Sequence, residues 1–143
     1  MIDIIKDQKD VVLCYIIRAS YHPETTEFFT PGSYSQQVGI IKYPEGGSIK
    51  PHFHNKVMRE VFYTQEVLFI RKGRVKVNLF GTESFEYVTS VVLSEGDTIL
   101  LATGGHGFEM LESSEMLEVK QGPYNGVSQD KTLLSETGSI KNS

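Results

Sequence analysis

The sequence predicts an all-β protein. Turn residues recur at short intervals, the stretches between them are rich in β-branched and aromatic residues, and few segments repeat apolar residues at helical spacing over three turns. The turns are marked by Pro31-Gly32, Pro44-Glu45-Gly46-Gly47, Lys72-Gly73, Gly81, Glu95-Gly96-Asp97, Thr103-Gly104-Gly105, Gly122-Pro123 and Asn125-Gly126. Regular spacing of this kind favours a sandwich or a barrel.

About nine strands are expected between these turns. The first, residues 11–18, is strongly apolar and contains Cys14; a lone cysteine forms no internal disulfide and reads as a small buried hydrophobe. Residues 37–43 and 48–54 follow, the second behind the Pro44 to Gly47 turn. Residues 55–65, NKVMREVFYTQ, lack a clear turn signal and read as a loop or a helical turn. Then come residues 66–71, 74–80, 87–93, 98–101, 106–111 and 115–120, each alternating in part. From residue 128 onward, apolar content falls to Leu133, Leu134 and Ile140, and a polar, partly disordered C-terminal tail is expected over residues 128–143. No internal repeat is present, so residues 1–127 are expected to form one domain.

Composition narrows the partners. At 143 residues and 39% hydrophobic content the chain has material for one core. A net charge of -4 with scattered lysines and arginines gives no basic footprint for nucleic acid. The N-terminal MIDIIKDQKD interleaves charges with isoleucines and reads neither as a signal peptide nor as a membrane span, so a cytoplasmic protein is expected.

Chemistry concentrates on histidines. Of four in the chain, His52 and His54 are one residue apart and His106 sits among Gly104, Gly105 and Gly107. In a strand, residues i and i+2 project from one face, so His52 and His54 would aim two imidazoles at one point, with Lys50 beside them. By the same alternation Glu66 shares a face with Leu68 and Ile70, and His106 with Phe108 and Met110. Three imidazoles and a carboxylate converging inside a small barrel would hold a first-row metal: zinc, iron, manganese or nickel. The glycines around His106 suit a tight turn with positive φ and are not a phosphate loop, because no strand-to-helix context follows. His22, beside Pro23, reads as an exposed loop residue.

Here the sequence resembles the cupin superfamily, small double-stranded β-helix (jelly-roll) barrels with a metal inside. The first cupin motif, G-x5-H-x-H-x3,4-E-x6-G, is similar to Gly46, His52 and His54, with Glu66 followed by Gly73. Eleven residues separate His54 from Glu66, so the loop is longer than usual or Glu60 takes the ligand role; EVLFIRKGRVKV favours Glu66 as the start of the family's glutamate-led strand. The second motif, G-x5-P-x-G-x2-H-x3-N, is similar to Gly96 through His106, with Ala102 in the proline position, the histidine one residue early and Met110 in place of asparagine. The resemblance spans residues 37–120 and implies a jelly-roll cupin barrel with a metal on His52, His54, Glu66 and His106.

Such ligand sets in cupins serve isomerases, dioxygenases, lyases and sensors, so fold does not choose the reaction. Polar candidates for recognition or catalysis are Lys50, Arg59 and Tyr63, with Tyr43, Arg71 and Tyr124. Lys50 would act as a cavity base or substrate clamp, or simply as a rim lysine reaching water. Guanidinium and phenol suit a small oxygen-rich anion or a sugar. The expectation is a metal-dependent enzyme of isomerase or epimerase type on a small carbohydrate or hydroxy acid, resembling the barrel part of sugar-phosphate isomerases. A ferrous dioxygenase and a non-catalytic small-molecule sensor are the alternatives. Phe53, Val67 and Phe69, on the outer face, lead to the expectation of a homodimer.

Overall fold

A computed structural model of the chain describes residues 1–135 and 137–140. It is all-β: ten strands, β1 (Ile2–Lys6), β2 (Val12–Ile17), β3 (Glu27–Phe28), β4 (Gly39–Ile40), β5 (Glu66–Lys72), β6 (Arg74–Phe80), β7 (Tyr87–Ser94), β8 (Thr98–Leu101), β9 (Gly105–Met110) and β10 (Glu115–Lys120), and one short helix, α1 (Val127–Asp130). Every pairing is antiparallel, and the sheets are open, none closing into a barrel. Among the described residues no helix is long and apolar enough to cross a membrane.

A five-stranded sheet, in the order β1-β2-β8-β5-β10, faces a three-stranded sheet, β7-β6-β9, with β3-β4 a separate ribbon. Alternation along each strand builds the core between them. From β6, RVKVNLF turns Val75, Val77 and Leu79 inward with no exposed surface. From the larger sheet come Leu68 and Ile70 of β5, Ile99 and Leu101 of β8, and Cys14 and Ile16 of β2, all buried in the same cluster. Burial pushes the Cys14 thiol up to about 12, so it stays a protonated apolar group, as its setting predicts.

Asp97 ties the larger sheet to its neighbour. Gly96 takes φ 86 in the β7-β8 turn, where a Cβ would stand 2.8 Å from that of Ala19. The next residue, Asp97, is only 5% exposed, and its carboxylate accepts from Arg18 Nη1 (3.1 Å), Ala19 N (2.8 Å) and Ser94 N (3.0 Å). One buried carboxylate thus holds the end of β2 against the turn.

Several expected elements differ. Residues 48–54 form no strand, and residues 41–64 run as irregular, exposed backbone. Pro51 has no N–H to give a ladder, and Gly46-Gly47 precedes it closely, so a β-rich composition does not suffice there. Residues 37–43 shrink to the two residues of β4. Conversely, β1 forms from the charged N-terminus, because an edge strand tolerates a polar outer residue: Ile2 and Ile4 pair with Ile17 and Tyr15. The expected apolar outer face is divided, since Phe53 lies in the irregular segment while Phe69 stays on β5, 40% exposed beside Leu117 of β10. In the C-terminal segment most described residues are exposed, with two local contacts. Leu134 bridges Ile140, and Gly138, at φ 92, is packed so closely on the Phe85 carbonyl that no Cβ fits.

Replacing Asp97 by alanine leaves two backbone N–H groups unpaired and removes one partner of Arg18. The variant is expected to lose about 2 to 4 kcal/mol in urea unfolding; a loss below about 0.5 kcal/mol contradicts the structural role.

Candidate functional site

Glu66 and His106 meet where the two sheets open. Glu66 starts β5 and pairs in register with Leu101 of β8, so it lies on the inner face with Leu68 and Ile70. His106 lies on β9 opposite Leu79, on the inner face with Phe108. The chain crosses from one sheet to the other between Leu101 and Gly105, which brings His106 over the strand that neighbours its own predecessor. Gly104 makes the crossing possible: it has φ 73, and a Cβ there would collide with the Phe80 carbonyl and approach Leu13 Cδ2 at 2.7 Å.

His106 Nε2 stands 3.0 Å from Glu66 Oε2. The Glu66 side chain is 7% exposed, so this contact forms with little competing water. The hydrogen bond from His106 is the main cause that holds the Glu66 carboxyl below the usual range; burial acts against it, and the charges of His106, Lys131 and Lys120 add to the lowering. Glu66 is therefore an ionised carboxylate at neutral pH.

The pair lines an open pocket of about 1750 Å³. On the β5-β10 side, Lys120 pairs in register with Glu66, its Nζ 3.9 Å from Glu66 Oε1, 3.5 Å from Glu118 Oε2 and 5.5 Å from the Tyr124 ring centroid. The pocket's lining also reaches the outer face of β6 and β9, where Glu109 accepts from Asn78 Nδ2 (2.7 Å) and Lys76 Nζ (3.1 Å). Behind the rim, buried Gln65 donates its N–H to Gln121 Oε1 (2.8 Å) and accepts from Ser35 Oγ (3.0 Å), which fixes the starting end of β5 against the chain leaving β10. The C-terminal segment closes part of the mouth, with Lys131, Leu134 and Ile140 lining it.

The other expected residues are distributed differently. His52 and His54 lie on the exposed segment and are not among the residues that line the pocket. Among the described residues no group of three or more potential ligands is gathered. The two imidazoles do remain together, ring centroids 5.4 Å apart, and His52 Nδ1 is 2.8 Å from the Lys50 carbonyl. If Nδ1 is the protonated nitrogen, Nε2 keeps its lone pair, the arrangement that metal-binding histidines use. Glu60 faces a smaller hollow near Ser33 and Tyr34, Tyr63 stands on the rim of both cavities, and Arg59, Lys50, Tyr43 and His22 are exposed or at the surface. Arg71 is engaged with Glu115 at 3.0 Å.

Lys120, Glu109 and Asn78 are pocket residues that sequence reasoning passed over. For Lys120 the available signal is its place at the end of the last strand, since pairing of that strand with residues 66–72 sets it opposite Glu66.

In donor chemistry Glu66 and His106, one oxygen and one nitrogen, fit a divalent first-row ion, and the His52 and His54 imidazoles fit the same ion. As arranged they are two separate pairs. A scan of protein-family models, a search of curated proteins and a search of solved structures each give no match.

Gly104→Ala forces a side chain into a positive-φ, filled position. It is expected to destabilise by about 2 kcal/mol or more in urea unfolding and to lower the thermal midpoint; unchanged stability would show that the crossing does not need glycine.

Proposed function

We propose that this chain is a metal-binding protein of the cupin type, a jelly-roll relative that acts on a small carbohydrate or hydroxy acid through isomerase- or epimerase-like proton transfer. The observation that carries this reading is the meeting of Glu66 and His106 at 3.0 Å on the pocket floor, residues picked from two separate sequence motifs. Their convergence is what a shared ligand requires of two strands in different sheets. His52 and His54 would complete the set from residues 41–64, and the closeness of their rings, 5.4 Å between centroids, supports that assignment. An ion held there would polarise carbonyl or hydroxyl oxygens as a Lewis acid.

The chain's own groups supply the rest. Glu66 keeps a negative charge beside His106 and so orients its imidazole. Lys120 offers an ammonium next to that carboxylate, and the Tyr124 and Tyr63 rings at the mouth offer flat faces and hydroxyl donors to a sugar-sized molecule. Glu66, with a side chain only 7% exposed, is sheltered from water, which strengthens its contacts.

A second reading has its own support. The Glu66 carboxylate is already satisfied by His106, with Lys120 close by, so the pocket is also complete as a metal-free acid-base pair or as a plain binding site.

Plasma mass spectrometry of tag-free protein separates the two. Near-stoichiometric metal in the wild type, lost in both His52→Ala/His54→Ala and Glu66→Gln, is expected, with zinc or manganese agreeing with proton transfer and iron with dioxygenase chemistry. No metal after reconstitution overturns the metal reading and leaves the acid-base pair.

A further inference from the structure

The balance of charge inside the pocket points to its substrate. Its lining carries three carboxylates, Glu66, Glu109 and Asp130, and three lysines, Lys76, Lys120 and Lys131, and they are not evenly paired. Glu109 is neutralised by Lys76 and held by Asn78. Glu66 takes the short contact from His106, leaving Lys120 at the longer distance of 3.9 Å. Lys120 has three N–H donors; its carboxylate neighbours stand at 3.5 and 3.9 Å, beyond the 2.7 to 3.2 Å of a well-formed N–H···O bond, and its third neighbour is the face of Tyr124. The Lys120 side chain is 27% exposed, so the ammonium is partly stripped of water, and among the described residues no group accepts a hydrogen bond from it. Lys131, from beyond α1, adds a second positive charge to the field at Glu66. Against these stand Glu118, 40% exposed and outside the lining, and Asp130 on α1; Glu118, Asp130 and Lys131 are all exposed and screened alike, which leaves Lys120 the least screened of the four.

We infer that Lys120, supported by Lys131, is the anchor for an oxyanion, and that the molecule taken by this pocket is an acidic one: a sugar acid or hydroxy acid through its carboxylate, or a sugar phosphate through its phosphate. This deepens the proposed function and rests on its reading that the pocket binds a small oxygen-rich molecule. An oxyanion at Lys120 fills the unmet donors, and the same molecule's hydroxyl groups then lie over Glu66 and His106. A neutral sugar offers the ammonium only uncharged hydroxyl acceptors, which make the weaker bond, so the pocket favours the acidic molecule.

Calorimetric titration of the full-length, tag-free protein with glucose, gluconate and glucose 6-phosphate, at low and high salt, tests this. At least one acidic probe is expected to bind about tenfold or more tightly than glucose and to weaken with salt; gluconate or glucose 6-phosphate leading identifies carboxylate or phosphate. Lys120→Gln should remove that preference, Lys120→Arg should restore it to within about threefold, and Lys72→Gln, outside the pocket, should leave it unchanged. Equal binding of all three probes, binding of none, or an undiminished preference in Lys120→Gln overturns the inference. If Lys120→Gln does not fold, Lys131→Gln decides: a reduced preference supports the anchor and an unchanged one overturns it. Metal content of the same samples keeps the two ideas apart. Lost charge preference with metal retained refutes only the anchor, whereas retained preference without metal refutes only the metal reading.

Discussion

The contact between Glu66 and His106 depends on a single crossing of the chain. β8 ends beside Glu66 in the larger sheet, and within a few residues β9 begins in the smaller one, so the turn at Gly104 decides where the imidazole lands. On its inner side the turn packs against the Phe80 carbonyl and Leu13, leaving no room for a side chain at Gly104. Everything else at the site follows from that geometry. The pocket exists because the inner faces are apolar up to Leu68 and Phe108 and polar beyond them, and it stays open because the sheets do not close into a barrel.

Electrostatics at the site is arranged in pairs of unequal quality. Asn78, Lys76 and Glu109 form a satisfied cluster on the outer face of β6 and β9, and Glu66 with His106 a satisfied pair on the inner side. Lys120 is the exception, with distances too long for good hydrogen bonds and an aromatic face for company. Satisfied groups hold a shape, whereas an underserved cation in a concave site is a place for a ligand. The exposed segment 41–64 has the same incomplete character on a larger scale: Phe53, Met58 and Phe62 are each more than four-fifths exposed, and it carries the His52 and His54 pair.

Strands 5 to 10 were legible in the sequence because each is a run of alternating residues bounded by a glycine or proline turn, and both the alternation and the turn are local properties. Glu66 and His106 were legible for the same reason: each sits at the start of such a run, and the inner face of a strand follows from its apolar neighbours. The strand expected over residues 48–54 was not formed, because composition there is β-like while Pro51 denies it a hydrogen-bond ladder. Strand β1 was hidden for the opposite reason, its charges masking an edge strand that needs a partner on one side alone. Lys120 could not be recognised from its own surroundings, since its meaning comes from a cross-strand partner far away in the chain. Likewise the sparse apolar residues Leu134 and Ile140 read as part of a polar tail until the surface they cover is known.

The most direct test of the central claim is anomalous X-ray scattering at the metal edge, from crystals of tag-free protein grown with manganese or zinc. The account predicts one strong peak within coordination distance of both Glu66 and His106. A metal bound only elsewhere, with the Glu66 and His106 contact intact and no peak beside it, would contradict the claim that this pair is the core of a ligand site.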